Sequence, residues 1–148
     1  MDTLKTKITK APVLVTLDFS ASALSIVLHV DACTTIGWST TLSQQQDNGQ
    51  LHPARYESGI WSDAERKYDA LKLECRGLLK ALKKFRFWLF GRYFSVQMDS
   101  QALVWLLNQP PNDLPNAMIT HWLTYIHLFD FNVRHICGNK NGAADSLS

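Results

Sequence analysis

Acid is the scarce commodity in this chain. Of 148 residues only thirteen are Asp or Glu, against fifteen Lys and Arg, a formal net charge of +2. Cysteine is scarcer: Cys33, Cys75 and Cys137 are odd in number and have no paired spacing. That argues against a disulfide framework or a zinc site, and for buried thiols in a reducing compartment. No uninterrupted apolar run approaches the length of a membrane span, so no membrane partner is expected. The N-terminal MDTLKTKITKAP is polar and basic with no apolar h-region, unlike a secretory signal. Internal repeats and low-complexity segments are absent too. The length suits one domain with a proper core.

What is present reads as strands followed by alternating helices and strands. Residues 1–22 look like a lead-in, and the domain is expected over 23–148. ALSIVLHVDA from Ala23 is a strand candidate, IGWSTTLSQQ a second, and residues 52–61 a third, with Asn48-Gly49 as a hairpin turn signal between the last two. Three strands with short connections predict an antiparallel meander. Ser62 and Glu65 have capping-box spacing and predict one long helix from there to about Phe90, stopped by Gly91. FSVQMDSQALVWLL (94–107) alternates as a strand, meets Asp99, then turns to helical spacing. Pro110-Pro111 breaks the chain, residues 113–128 form a further helical segment, and FDFNVRHIC a fifth strand. Strands separated by helices in this half predict parallel pairing.

Eight of the fifteen basic residues fall between Arg66 and Arg86. Such a run is either a solvated helix face or a footprint for a polyanion.

The acids can be questioned one by one. Asp47 sits in a turn, Asp63 and Glu65 at a helix start, Asp113 after a proline break. Four are less easily explained. Asp31 ends SIVLHVD, on the strand face opposite Ile26, Leu28 and Val30; a surface acid at a strand end is the plain alternative. Glu74 shares a helix face with Leu71, Leu78 and Leu82, where no Lys or Arg lies to pair with it. A carboxylate there is expensive unless paired or metal-bound; the plain alternative is an edge position reaching solvent. Asp99 stands where an N-cap residue would stand, and Asp or Ser caps well. Asp145 follows Ala143-Ala144 in a terminal helix and, alone, reads as a surface acid. Two neighbouring strand ends and two helices can bring all four together. Carboxylates held that close repel and call for a cation. All-oxygen ligands suit Mg²⁺ or Mn²⁺, and a pair of such ions can clamp an in-line phosphodiester displacement.

The chain resembles the ribonuclease H domain of gypsy-type LTR retrotransposon reverse transcriptase polyproteins. The resemblance is carried by the DAC…GW segment, by ARYESGIWSDAERKYDALKLECRGLLKAL, by MDSQALVWLL, by FDFNVRHICGNKNGAADSLS and by the lead-in LKTKITKAPVL. Any one motif is weak; their order and spacing are specific. The resemblance implies a ribonuclease H-like α/β fold: a five-stranded mixed sheet with strands 1–3 antiparallel, strands 4 and 5 parallel to strand 1, and helices on its faces. It implies an endonuclease cutting the RNA strand of RNA/DNA hybrids with two Mg²⁺ ions, Mn²⁺ being a substitute. Asp31, Glu74, Asp99 and Asp145 fall on the family's four metal-binding acids, which makes Asp99 a ligand first and a cap second. Gln101 falls where the retroviral enzymes have a Gln near the RNA strand's minor groove, Asn141 falls near the Asn of the retroviral G-N-E segment before the last acid and is a further substrate-binding candidate, and Lys80, Lys83 and Lys84 are candidates for phosphate contacts. The expected partners are the hybrid and the polymerase domain of the same polyprotein, and the expected place is a cytoplasmic virus-like particle.

Two departures stand out. The loop before the last acid, CGNKNG, carries no His, and His135 before it falls inside the fifth strand. The segment AMITHW has His121 where the family commonly has arginines. The rival reading is a catalytically silent binding or scaffolding module with the same fold. Such a copy is expected to lose ligands, and here all four acids are present.

Overall fold

A computed structural model of the chain describes residues 25–109 and 117–136, together with Leu17. Strands β1 (Ile26–Cys33), β2 (Gly37–Gln45) and β3 (Leu51–Ile60) form the expected antiparallel meander. The β2–β3 turn closes at Asn48-Gly49: Gly49 takes φ +81, which a residue without Cβ adopts freely, and its N–H donates to the Gln46 carbonyl at 2.9 Å. Strand β4 (Tyr93–Met98) lies parallel to β1, and β5 (Asp130–His135) parallel to β4. The sheet order is β3-β2-β1-β4-β5, which puts β1 at the centre.

The single long helix expected from Ser62 does not form. The capping box is there, with the Ser62 N–H donating to Glu65 Oε1 at 2.9 Å and the Glu65 N–H to Ser62 Oγ at 3.2 Å. It opens only a 3-10 turn, Glu65–Lys67. The chain then extends through Tyr68 and Asp69 before α1 (Ala70–Lys84), which Asp69 caps by accepting the Lys72 N–H. The cause is Glu65, buried and 2.8 Å from Arg76 Nε. In one continuous helix residues eleven apart would stand about 16 Å apart along the axis. Making the ion pair requires the turn to fold back against α1.

A short helix, α2 (Arg86–Leu89), follows, and Gly91 at φ +81 reverses the chain into β4. Helices α3 (Gln101–Leu107) and α4 (Ala117–Ile126) complete the described elements. The expected helix start at Asp113, the lead-in apart from Leu17, and the terminal helix lie outside the described residues. One apolar core holds Leu28 and Val30 of β1, Leu78, Leu82 and Phe85 from α1 and its end, Phe94 and Val96 of β4, and Leu123 and Ile126 of α4. A smaller cluster of Trp38, Trp61 and Leu73 sits under the end of β1, where the Trp61 indole N–H donates to the Cys33 carbonyl at 2.7 Å. The thiols divide: Cys75 is buried as expected, and burial pushes it up to about 12, but Cys33 is exposed, contrary to expectation, because it ends β1 at a turn. No helix among the described residues is long and apolar enough to cross a membrane.

Candidate active site

The site begins with sheet register. Because β1 and β4 are parallel neighbours with Val30 opposite Met98, Asp31 and Asp99 come one residue later at the same level of the sheet. Glu74 arrives from above, one turn into α1. All three acids line one small cleft of about 80 Å³, together with Val30, Ala32, Met98, Ser100 and Leu103. Strand alternation alone sends Asp31 to the face away from the helices. The cleft opens at the strand ends, so the consecutive residues Val30, Asp31 and Ala32 all border it.

The capping question at Asp99 is settled by its neighbour. Ser100 is the N-cap of α3, its Oγ accepting the Leu103 N–H at 3.1 Å. Asp99 is thereby released from the capping role that its position suggested, and its side chain is 62% exposed. His135, the last residue of β5, brings Nε2 to 3.8 Å from Asp99 Oδ1. It is a strand residue, as expected, yet it reaches Asp99; pairing β5 beside β4 is what puts it there, and no local motif signals this. On β1, burial lowers His29 below the usual imidazole range, opposed by the nearby negative charges of Asp31 and Asp99.

The other candidates differ in how they stand to the cleft. Glu74 is half-buried, so its position at the stripe's margin opens onto the cleft and not into the core. Gln101 is exposed in the first turn of α3, next to the cleft residue Ser100. Asp145 and Asn141 lie outside the described residues. Lys80 is not a free cation: its Nζ is 3.1 Å from Glu65 Oε2. Lys83 lies over the Tyr125 ring, 5.4 Å from its centroid, and Lys84 is exposed. Among the described residues no three Asp, Glu, His or Cys side chains converge closely enough to hold a metal ion as they stand. A second, broader groove of about 430 Å³ runs from Asp31 past Cys33 and Ile36 to Ser58 and Ile60 across the ends of β2 and β3.

The model of the RNase H-like domain found in reverse transcriptase matches residues 21–129. The chain belongs to that family. Its sequence is 34% identical over 145 residues to the retrovirus-related Pol polyprotein from transposon 297 of Drosophila melanogaster, covering 98% of this chain and 13% of that protein. The resemblance to retrotransposon polyproteins is therefore borne out, and the chain spans about an eighth of that relative's length. Among solved structures, the foamy viral protease-reverse transcriptase in complex with double-stranded DNA matches with TM-score 0.67 at 17% identity, over 93% of this chain and 28% of the other. LC11-RNase H1 in complex with an RNA/DNA hybrid matches with TM-score 0.59 at 18% identity, over 83% and 93%. At such identities these two likenesses speak for the fold, which is the ribonuclease H fold with the expected strand order.

Proposed function

We propose that this domain is a ribonuclease H: a Mg²⁺-dependent endonuclease that hydrolyses the RNA strand of RNA/DNA hybrids during retrotransposon reverse transcription. The observation that carries the reading is the single cleft bordered by Asp31, Glu74 and Asp99, three acids from three separate elements. Family membership and the resemblance to nucleic-acid-bound ribonucleases H support it.

The donor set fits a hard divalent cation. It is all oxygen, and none of the three acids has a Lys or Arg within ion-pairing distance among the described residues. Gathering three carboxylates onto one ion requires them to draw closer than they stand. Their exposed or half-buried side chains leave room for that rotation. Asp31, Glu74 and Asp99 would hold the ions, with Asp145 as fourth ligand by resemblance. When bound, a pair of Mg²⁺ ions stabilises the attacking and leaving oxygens of an in-line phosphodiester displacement.

The chain's own contribution is positioning. The parallel β1–β4 pairing fixes the spacing of Asp31 and Asp99, and the Trp61 bond to Cys33 holds the end of β1. Gln101 faces outward beside the cleft, suited to the RNA strand's minor groove, and Lys83 and Lys84 supply positive charge for phosphates. The polymerase domain of the same polyprotein is the proposed neighbour, and a cytoplasmic virus-like particle the proposed setting. The deciding experiment is cleavage of an end-labelled RNA/DNA hybrid with Mg²⁺ and with chelator. Metal-dependent cutting of the RNA strand alone is expected; hybrid binding without cutting would establish the silent-module reading instead.

A further inference from the structure

The end of the sheet away from the acids carries a feature that cleavage does not use. Residues 84–93 read KFRFWLFGRY, with aromatic and basic residues interleaved and no acid. The fold splits this segment in two. Phe85 and Leu89 are buried, and Trp88 is half-buried with Arg55 stacked 4.0 Å from its ring centroid. Phe87 is 86% exposed, Phe90 58% and Tyr93 61%. Phe87 and Phe90, three apart on the α2 turn, share a side of it. Gly91 then reverses the chain and brings Tyr93 to the same end of the sheet. Phe90 is anchored edge-on to Phe129 at 5.7 Å on the core face of the sheet, whereas Tyr93 alternates to the opposite face, where Asn132 Nδ2 donates to its hydroxyl at 2.8 Å.

Exposed large rings grouped on one segment, unlike singly scattered ones, mark a contact surface. The rim says for what. Lys84 and Arg86 are exposed on the same segment, and the facing strand start offers one exposed acid, Asp130. Rigid rings among cations are the means by which proteins hold single-stranded nucleic acid: every base has a π-face to stack, and every linkage a phosphate to neutralise. A wholly apolar partner would leave the cations unmatched.

We propose that Phe87 and Phe90, with Lys84 and Arg86, form a binding surface for single-stranded nucleic acid, separate from the acid cleft. Two elements measure the separation. From Glu74 to Lys84 is ten helical residues, about 15 Å; from Tyr93 to Asp99 is six extended residues, about 20 Å. That is roughly five nucleotides of one strand at duplex rise. A strand leaving a hybrid seated at the cleft reaches the rings after a short run. The surface does not depend on the cleft being catalytic, so the two readings fail separately.

The test is fluorescence anisotropy with a short oligothymidylate and an abasic strand of equal length, which has phosphates and no bases. The wild-type chain should bind the oligothymidylate roughly tenfold or more tightly than the abasic strand. Phe87→Ala/Phe90→Ala should lose that preference while keeping its melting temperature and its affinity for the abasic strand. Phe87→Tyr/Phe90→Tyr, which restores flat rings, should regain it. Should the double alanine variant unfold, Phe87→Ala alone, at the most exposed ring, is read the same way. Equal binding of the two strands by wild type would overturn the proposal, as would a base preference that survives loss of the rings. Self-association abolished by the alanine variants, with no base preference in wild type, would assign the rings to a protein contact and overturn it equally.

Discussion

Glu65 and the three cleft acids are opposite answers to the same electrostatic problem. Glu65 is 5% exposed and receives the Ser62 N–H, Arg76 and Lys80. Burial alone would raise its carboxyl, but those three partners outweigh it and bring it to about 2. Asp31, Glu74 and Asp99 are exposed or half-buried, border one cleft, and have no Lys or Arg partner within reach among the described residues. A protein that can supply two cations to one structural acid, within a helix of fifteen residues, supplies no Lys or Arg among the described residues to the three acids beside it. The difference marks Glu65 as a structural tie and leaves the cleft acids available to a cation from outside.

The comparison predicts opposite phenotypes. Asp31→Asn and Glu74→Gln should each lower hybrid cleavage by orders of magnitude while the melting temperature in EDTA stays level or rises, since a repelling charge has gone. Glu65→Ala should do the reverse. It strips a buried partner from Arg76 and Lys80 and opens the capping box, costing about 2–4 kcal/mol in urea unfolding. Cleavage at low temperature should remain. A Glu65→Ala variant as stable as wild type would break the contrast.

Acid sharpens it. A folded carboxyl at about 2 against an ordinary value of 4.5 stabilises the fold above the latter and loses that contribution as pH falls through the former. At about 1.4 kcal/mol per unit this amounts to at most about 3–4 kcal/mol. Melting temperature should therefore drop between pH 5 and about pH 2, less steeply in Glu65→Gln. The smallest effect concerns the basic run. Lys83→Ala/Lys84→Ala should weaken hybrid binding a few-fold and lower the salt slope by about one to two, whereas Lys80→Ala, already neutralised by Glu65, should act mainly on stability. Equal effects on binding from all three lysines would contradict this division.

How far the sequence foretold this depends on the range of the interaction. The strands were legible because Ile26, Leu28 and Val30, or Phe94, Val96 and Met98, alternate locally, and the hairpin because Asn48-Gly49 is a local signal. The pairing of Asp31 with Asp99 followed from the expected parallel topology and the family resemblance. The break at Tyr68-Asp69 was not legible. Two cap signals, Ser62 and Asp69, compete there, and the winner is decided by a partner eleven residues on. At Asp99-Ser100 either residue type can cap, and only the built turn shows that Ser100 does. His135 at Asp99 depends on β5 lying beside β4, a contact between segments far apart in the chain.

Asp99→Asn tests the central claim most directly. Asn keeps the size of Asp, and the α3 cap belongs to Ser100, so the substitution removes one charge from the cleft and little else. Hybrid cleavage in Mg²⁺ should be measured beside a thermal melt in EDTA. A metal-site acid predicts cleavage reduced by orders of magnitude on a chain that melts at or above the wild-type temperature. Near-wild-type cleavage by a folded Asp99→Asn chain would contradict it.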